Sequence, residues 1–75
     1  MHQKITYFYE VLAADLGRGS LWMQILSKQG QLVFKWHWRV KYVELTLSLS
    51  ALSQVKDLNL FAQKVARDLT QRILQ

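Results

Sequence analysis

Nine consecutive residues, 34–42, alternate strictly between apolar and basic side chains, and this pattern constrains the fold more than any other feature. The apolar positions are Phe34, Trp36, Trp38, Val40 and Tyr42. The basic positions are Lys35, His37, Arg39 and Lys41. A period of two places successive side chains on opposite sides of an extended backbone. The pattern therefore predicts a β-strand with one apolar and one basic face.

Residues 43–49 also alternate, but with the opposite phase. Valine and leucine now occupy the odd-numbered positions, and Glu44, Thr46 and Ser48 occupy the even ones. A regular strand cannot keep one face towards the core across such a change, because a slip of one residue exchanges its two faces. No Gly, Asn or Pro marks a turn at residues 42–43, which favours a β-bulge within one long bent strand. A separate fourth strand is the alternative.

Two earlier segments supply partners for this strand. Residues 5–12 alternate and are rich in tyrosine and β-branched side chains, which predicts a strand. Residues 21–27 are also predicted to be a strand, joined to the next by a hairpin loop over residues 28–30 with left-handed Gly30. A short helix with Ser20 as its N-cap is the alternative for residues 21–27.

The C-terminal segment, residues 55–74, has a helical rather than an alternating repeat. Its apolar side chains recur every three or four residues, at Leu58, Phe61, Ala62, Val65, Leu69 and Ile73. Ser53 or Asp57 can cap its start. We therefore predict one α+β domain over residues 1–75. An antiparallel meander of three or four strands carries the C-terminal helix across one face, over Phe34, Trp36 and Trp38.

The chemistry available to this chain is limited. Its 75 residues include no cysteine, which excludes disulfides and thiolate metal sites. His2 and His37 are the two histidines, and the five acids are scattered, so no nucleophile–base pair, carboxylate pair or metal-ligand set can be recognised. We expect a non-enzymatic protein with no metal and no cofactor.

The sequence shows no targeting or membrane signal. Its N-terminal residues lack the pattern of a signal peptide, and no apolar run approaches the roughly 18 residues of a membrane span. The absence of cysteine fits a reducing compartment. We expect a cytoplasmic protein without a membrane partner.

Positive charge is concentrated in the middle of the chain. The net charge is +5, and residues 16–43 hold five basic residues and no acid. Within that segment the row Lys35, His37, Arg39 and Lys41 would be spaced at roughly 6.6 Å along one strand face. This spacing predicts contact with nucleic-acid phosphates. The alternatives are an ordinary solvated face, protected by lysine against aggregation, and a surface for an acidic protein.

Aromatic and leucine side chains fall on both predicted sheet faces, and one helix can cover only one of them. A small domain without a disulfide or metal often gains stability by oligomerising. We therefore also expect a homo-oligomer, specifically a dimer. The alternative function is a protein–protein interaction or self-assembling module.

Overall fold

The computed structural model describes residues 2–74, which form a three-stranded antiparallel sheet and two long helices. The strands follow one another as a meander, and the long helices pack together on one sheet face, which confirms the α+β class. A 3₁₀ turn, Ser27–Gln29, joins the first two strands. The other elements are α1 (His2–Leu16), β1 (Ser20–Leu26), β2 (Gln31–Trp38), β3 (Lys41–Ser48), α2 (Leu49–Ser53) and α3 (Leu58–Leu74).

The N-terminal segment is a helix, so the strand predicted for residues 5–12 is wrong. The side chains that α1 buries are Ile5, Phe8, Leu12 and Leu16. Their separations of three and four residues are a helical stripe, which outweighs the strand propensity of the tyrosines. Gly17, with φ of 72°, ends the helix, and its N–H donates to the carbonyl oxygen of Ala13 at 3.1 Å.

The chain reverses at Arg39 and Val40, so the long bent strand with a bulge at residues 42–43 is also wrong. Across the resulting hairpin Trp36 lies opposite Val43 and Trp38 opposite Lys41. Even-numbered residues of β2 therefore face the same side as odd-numbered residues of β3. The change of phase in the sequence marks this reversal, and β3 is a separate strand, the third within residues 2–74.

The strand predicted for residues 21–27 is confirmed as β1, which ends at Leu26. Gly30 has a φ of 65°, in the left-handed region, as the hairpin requires. The Gly30 carbonyl oxygen also accepts a 2.8 Å hydrogen bond from the N–H of Leu49. This bond ties the β1–β2 connection to the start of α2.

The C-terminal helix is confirmed over Leu58–Leu74, three residues shorter at its start than predicted. Asp57 caps it, because its Oδ1 accepts a hydrogen bond from the N–H of Leu60 at 3.0 Å. Val65 and Leu69 are buried as predicted, whereas Leu58 and Phe61 are half-buried at the edge of the core.

The core lies between the two long helices and one side of the sheet. Phe8 of α1 contacts Phe34 of β2 edge to face, with ring centroids 5.6 Å apart, and stacks on Phe61 of α3 at 5.5 Å. Trp36 is fully buried in the same cluster. The side of the sheet carrying Phe34 and Trp36 is therefore covered by helices, as predicted. Within residues 2–74 no helix is both long enough and apolar enough to cross a bilayer.

Candidate functional site

The sheet face turned away from the helices is called the open face here. Strand pairing decides which side chains lie on it, because residues directly opposite each other in an antiparallel sheet share a side. From β1 it receives Ser20, Trp22, Gln24 and Leu26; from β2, Gln31, Val33, Lys35 and His37; from β3, Tyr42, Glu44, Thr46 and Ser48.

Aromatic rings from all three strands lie on the open face. Trp22 is 48% exposed and Tyr42 is 59% exposed. The ring of His37 on the central strand stacks on Tyr42, with centroids 5.2 Å apart and planes 18° from parallel. Two aromatic platforms therefore face solvent, one formed by Trp22 and the other by the His37–Tyr42 pair.

Lys35 supplies a positive charge beside one of these platforms. Its ammonium lies 5.2 Å from the centroid of the Trp22 ring, a cation–π distance. Glu44 lies opposite Lys35 on β3. The two do not form an ion pair, and the only one within residues 2–74 joins Asp68 and Arg72. Lys35 thus carries an uncompensated charge next to an exposed ring.

The structure divides the basic row that the sequence predicted. Lys35 and His37 lie together on the open face, as expected. Arg39 lies in the turn, with φ of 61°, and Lys41 lies opposite Trp38, on the helix side of the sheet. The prediction that all four residues lie on one β-strand is therefore wrong, because β2 ends at Trp38.

The remaining two cations join a second cluster, called the Trp38 cluster here and made of Arg18, Trp38, Arg39 and Lys41. The guanidinium carbon of Arg18 lies 5.1 Å from the Trp38 ring centroid, and that of Arg39 lies 4.8 Å from it. Trp38 also stacks in parallel with Trp36, at a centroid distance of 6.2 Å. Both arginines are exposed to solvent.

Sequence reasoning missed three of these residues as candidates for a site. Tyr42 was assigned to the apolar face of Trp36 and Trp38, but the turn moves it to the opposite side. Trp22 lies at an even position of the alternating segment 21–27, so its side of the sheet depends on pairing with β2. Arg18 contacts Trp38 from twenty positions away in the sequence, and no local pattern indicates that contact.

Comparisons of the chain with protein-family models, with curated proteins and with solved structures return no match.

Proposed function

We propose that this protein binds single-stranded nucleic acid on the open face of its sheet. The observation that supports this most strongly is the combination of exposed aromatic platforms with an unpaired cation on one surface. Trp22 and the His37–Tyr42 pair provide the platforms, and Lys35 provides the cation. Flat bases and anionic phosphates are the two features of a single strand that such a surface recognises.

The spacing of the rings suits neighbouring bases. Trp22 and His37 lie on adjacent strands and are offset by two residues, which places their Cα atoms about 8 Å apart. Two bases of one unstacked strand can each meet a ring at that distance. Stacking of a base on an aromatic side chain contributes about 1–3 kcal/mol and is tolerant of sequence.

The distribution of charge supports the same ligand. Lys35 lies in the middle of the open face, Lys28 lies at the β1–β2 connection, and Arg18 and Arg39 lie at the opposite end of the sheet. The β-strands of seven or eight residues span roughly 24 Å, a length that accommodates several nucleotides. A phosphate backbone running along the open face would therefore meet Lys35 at the centre and Lys28 at one end. The guanidiniums of Arg18 and Arg39 lie against Trp38, on the other side of the sheet.

A single strand fits this surface better than a duplex does. Bases in a duplex are stacked on one another and turned inwards, so the rings of a flat sheet cannot reach their faces. Within residues 2–74 the open face consists of strand residues, and the long helices pack on the other side of the sheet. A groove of a duplex is entered by a helix or a protruding ribbon. We expect binding to oligothymidine to be stronger than binding to a duplex of the same length.

Replacement of the exposed rings tests the stacking part of the proposal. Trp22→Ala and Tyr42→Ala should each weaken binding of a labelled oligothymidine about ten-fold, measured by fluorescence anisotropy at low salt. Tyr7→Ala is the matched control, because Tyr7 is 45% exposed on α1 and its hydroxyl contacts Asn59, away from the sheet face. An equal loss in the Tyr7 variant would contradict a site on the open face.

Salt dependence tests the phosphate part. Lys35→Gln should lower the magnitude of the slope of log K against log salt by about 0.7, the contribution of one phosphate contact in a single strand. Glu44→Gln should strengthen binding, because it removes the acid opposite Lys35. Lys64→Gln removes an equal charge from the exposed side of α3 and should leave the slope unchanged. Absence of binding by the wild type at about 50 mM salt would overturn the proposed function.

A second candidate function, self-assembly into a dimer, is favoured by the free edge of β1. None of the seven residues of β1, Ser20–Leu26, is charged, whereas the other edge strand carries Lys41 and Glu44. The hydroxyl of Tyr9 donates to the Leu21 carbonyl oxygen at 2.8 Å, so residues 22–26 are the free part of this edge within residues 2–74. Natural proteins usually protect such an edge with charge.

A second copy of the chain is the occupant that fits this edge. Antiparallel pairing of two β1 strands about Gln24 would place Met23 opposite Ile25 of the second copy, both on the helix side of a six-stranded sheet. Trp22 would stay on a continuous open face. The basic residues lie outside β1, so the pairing would bring no like charges directly opposite each other within the strand.

Light scattering tests the dimer. The wild type should have about twice the monomer mass of 8.9 kDa. Ile25→Lys, which places a charge on the free edge, should return it to the monomer. Thr46→Lys makes an exposed change on the opposite edge strand and should leave the dimer intact. A monomeric wild type over a wide range of concentration would remove this candidate.

A further inference from the structure

Two guanidinium groups from distant parts of the chain lie against one indole ring. Arg18 belongs to the connection between α1 and β1, and Arg39 belongs to the β2–β3 turn. Both distances, 5.1 Å and 4.8 Å, are measured to the centroid of Trp38. The two guanidinium carbons are therefore at most about 10 Å apart, the sum of those two distances.

The backbone on the Arg18 side is held in place. The indole N–H of Trp36 donates to the Arg18 carbonyl oxygen at 2.8 Å. Gly17 and Gly19 on either side both adopt positive φ, at 72° and 77°. This conformation is readily accessible to glycine alone, so the connection presents Arg18 from a defined bend.

The backbone on the Arg39 side is strained. The φ of Arg39, 61°, is the only positive value at a non-glycine position within residues 2–74. Gly or Asn adopts this conformation at lower cost in a tight hairpin turn. Such strain is often found at ligand sites. The guanidinium of Arg39 is nevertheless positioned on Trp38.

The charge of this cluster is not neutralised within residues 2–74. Neither arginine has a carboxylate within ion-pair distance, since the ion pair of this part of the chain joins Asp68 and Arg72. Lys41 lies directly opposite Trp38 and adds a third cation at the same end of the sheet. Within residues 2–74, three cations without an ion-pair partner therefore lie at one end of the sheet.

We infer that the Trp38 cluster binds a phosphate group, with Arg18 and Arg39 as its principal ligands. A guanidinium presents parallel N–H donors that match two phosphate oxygens, and stacking on a ring orients its plane without using those donors. Separate hollows of about 380 Å³ and 280 Å³ border Arg18 and Arg39 respectively, so the surface beside each residue is open to a ligand. The inference uses residues distinct from those of the open face and does not depend on its function.

Titration with inorganic phosphate tests the site directly. The probe is followed by NMR through the side-chain N–H signals of the arginines and the indole signal of Trp38, at constant ionic strength with chloride as the replaced anion. We expect saturable shifts in the wild type. The affinity for phosphate should be at least about ten-fold lower in Arg18→Gln. Arg18→Lys keeps the charge but loses the planar fork, and should be intermediate.

Controls separate a built site from general attraction. Arg67→Gln removes an exposed arginine from α3 and should leave the affinity for phosphate unchanged. Arg39→Asn removes the second guanidinium while suiting the left-handed turn, so the fold is retained and phosphate affinity should fall as in Arg18→Gln. Equal loss in the Arg67 variant, or no saturable shift in the wild type, would overturn the site.

The phosphate can come from the end of a nucleic-acid strand or from a small phosphorylated compound. Oligothymidine with a 5′-phosphate and oligothymidine with a 5′-hydroxyl distinguish the two sources. Tighter binding of the phosphorylated strand by the wild type, but not by Arg18→Gln, assigns the site to a strand end. Equal binding of both strands, with inorganic phosphate still bound, assigns it to a small ligand. The second result leaves the phosphate site standing even where the open face binds no strand.

Discussion

The two faces of the sheet carry similar side chains with opposite exposure. Trp36 is 1% exposed, and its N–H is satisfied by the Arg18 carbonyl oxygen. Trp22 is half exposed, and a lysine ammonium lies against its ring. The residue type is the same, and the two rings lie on opposite sides of the sheet. An aromatic residue in a strand therefore says little about function until the packing of the helices is known.

The largest expected effect on stability is at the covered face, the side of the sheet on which the two long helices pack. Trp36→Ala should reduce the free energy of unfolding by about 3–5 kcal/mol, because it leaves a large cavity beneath the two helices. Urea denaturation followed by circular dichroism measures this change. A loss below about 1 kcal/mol would mean that the covered face is loosely packed and that the two faces do not differ as described.

Buried residues of α3, which packs on the covered face, should respond in the same way. Leu69 of α3 is 1% exposed, so Leu69→Ala should cost about 2–5 kcal/mol in urea denaturation. Leu60→Ala is the matched control, since Leu60 lies on the same helix and is 48% exposed. Comparable losses for the two leucines would show that a different side of α3 is buried.

Gly19 lies where the α1–β1 connection packs closely against Trp36 and His37 of β2. A Cβ at this position would overlap the carbonyl oxygen of His37 and lie 2.8 Å from Nε1 of Trp36. With φ at 77° as well, Gly19→Ala should cost about 2–4 kcal/mol. Gly30→Ala has the same backbone strain but meets no atom within 4 Å, so the difference between the variants measures the overlap. Equal losses would show that backbone strain alone is responsible.

The smallest effect should belong to the open face. Trp22→Ala should change the free energy of unfolding by about 1 kcal/mol or less, because the ring is half exposed and leaves no cavity. Thermal denaturation at two protein concentrations keeps this effect separate from any dimer. A loss as large as that of Trp36→Ala would mean that another surface covers Trp22 in solution.

The sequence was sufficient for elements whose local pattern and packing agree. The alternation of residues 34–38 predicted β2 and its buried face, and the repeat in residues 58–74 predicted α3. In residues 5–12 two periods overlap, because Ile5, Tyr7 and Tyr9 alternate while Ile5, Phe8 and Leu12 follow a helix. Packing against α3 decided for the helix, as Phe8 is completely buried between Phe34 and Phe61.

Only part of the candidate sites could be predicted from the sequence. Lys35 and His37 could be placed on one exposed face because they lie two apart in a clear strand. The turn at Arg39 could not be found, since no Gly, Asn or Pro marks it and an arginine adopts the left-handed conformation instead. This missed turn also concealed the exposure of Tyr42 and the approach of Arg39 to Trp38.

The pairing of α1 with α3 has a consequence for how the chain folds during synthesis. Strands β1, β2 and β3 are neighbours in sequence, so the sheet hydrogen bonds can form as soon as residue 48 has left the ribosome. The stacking of Phe8 on Phe61, and the hydrogen bonds from Lys4 Nζ to the carbonyl oxygens of Ser53 and Val55 at 2.9 Å, require the later segment. Until then α3 cannot cover the Phe34 and Trp36 side of a nascent sheet. A nascent chain paused before residue 58 is thus the form most exposed to aggregation and most in need of a chaperone.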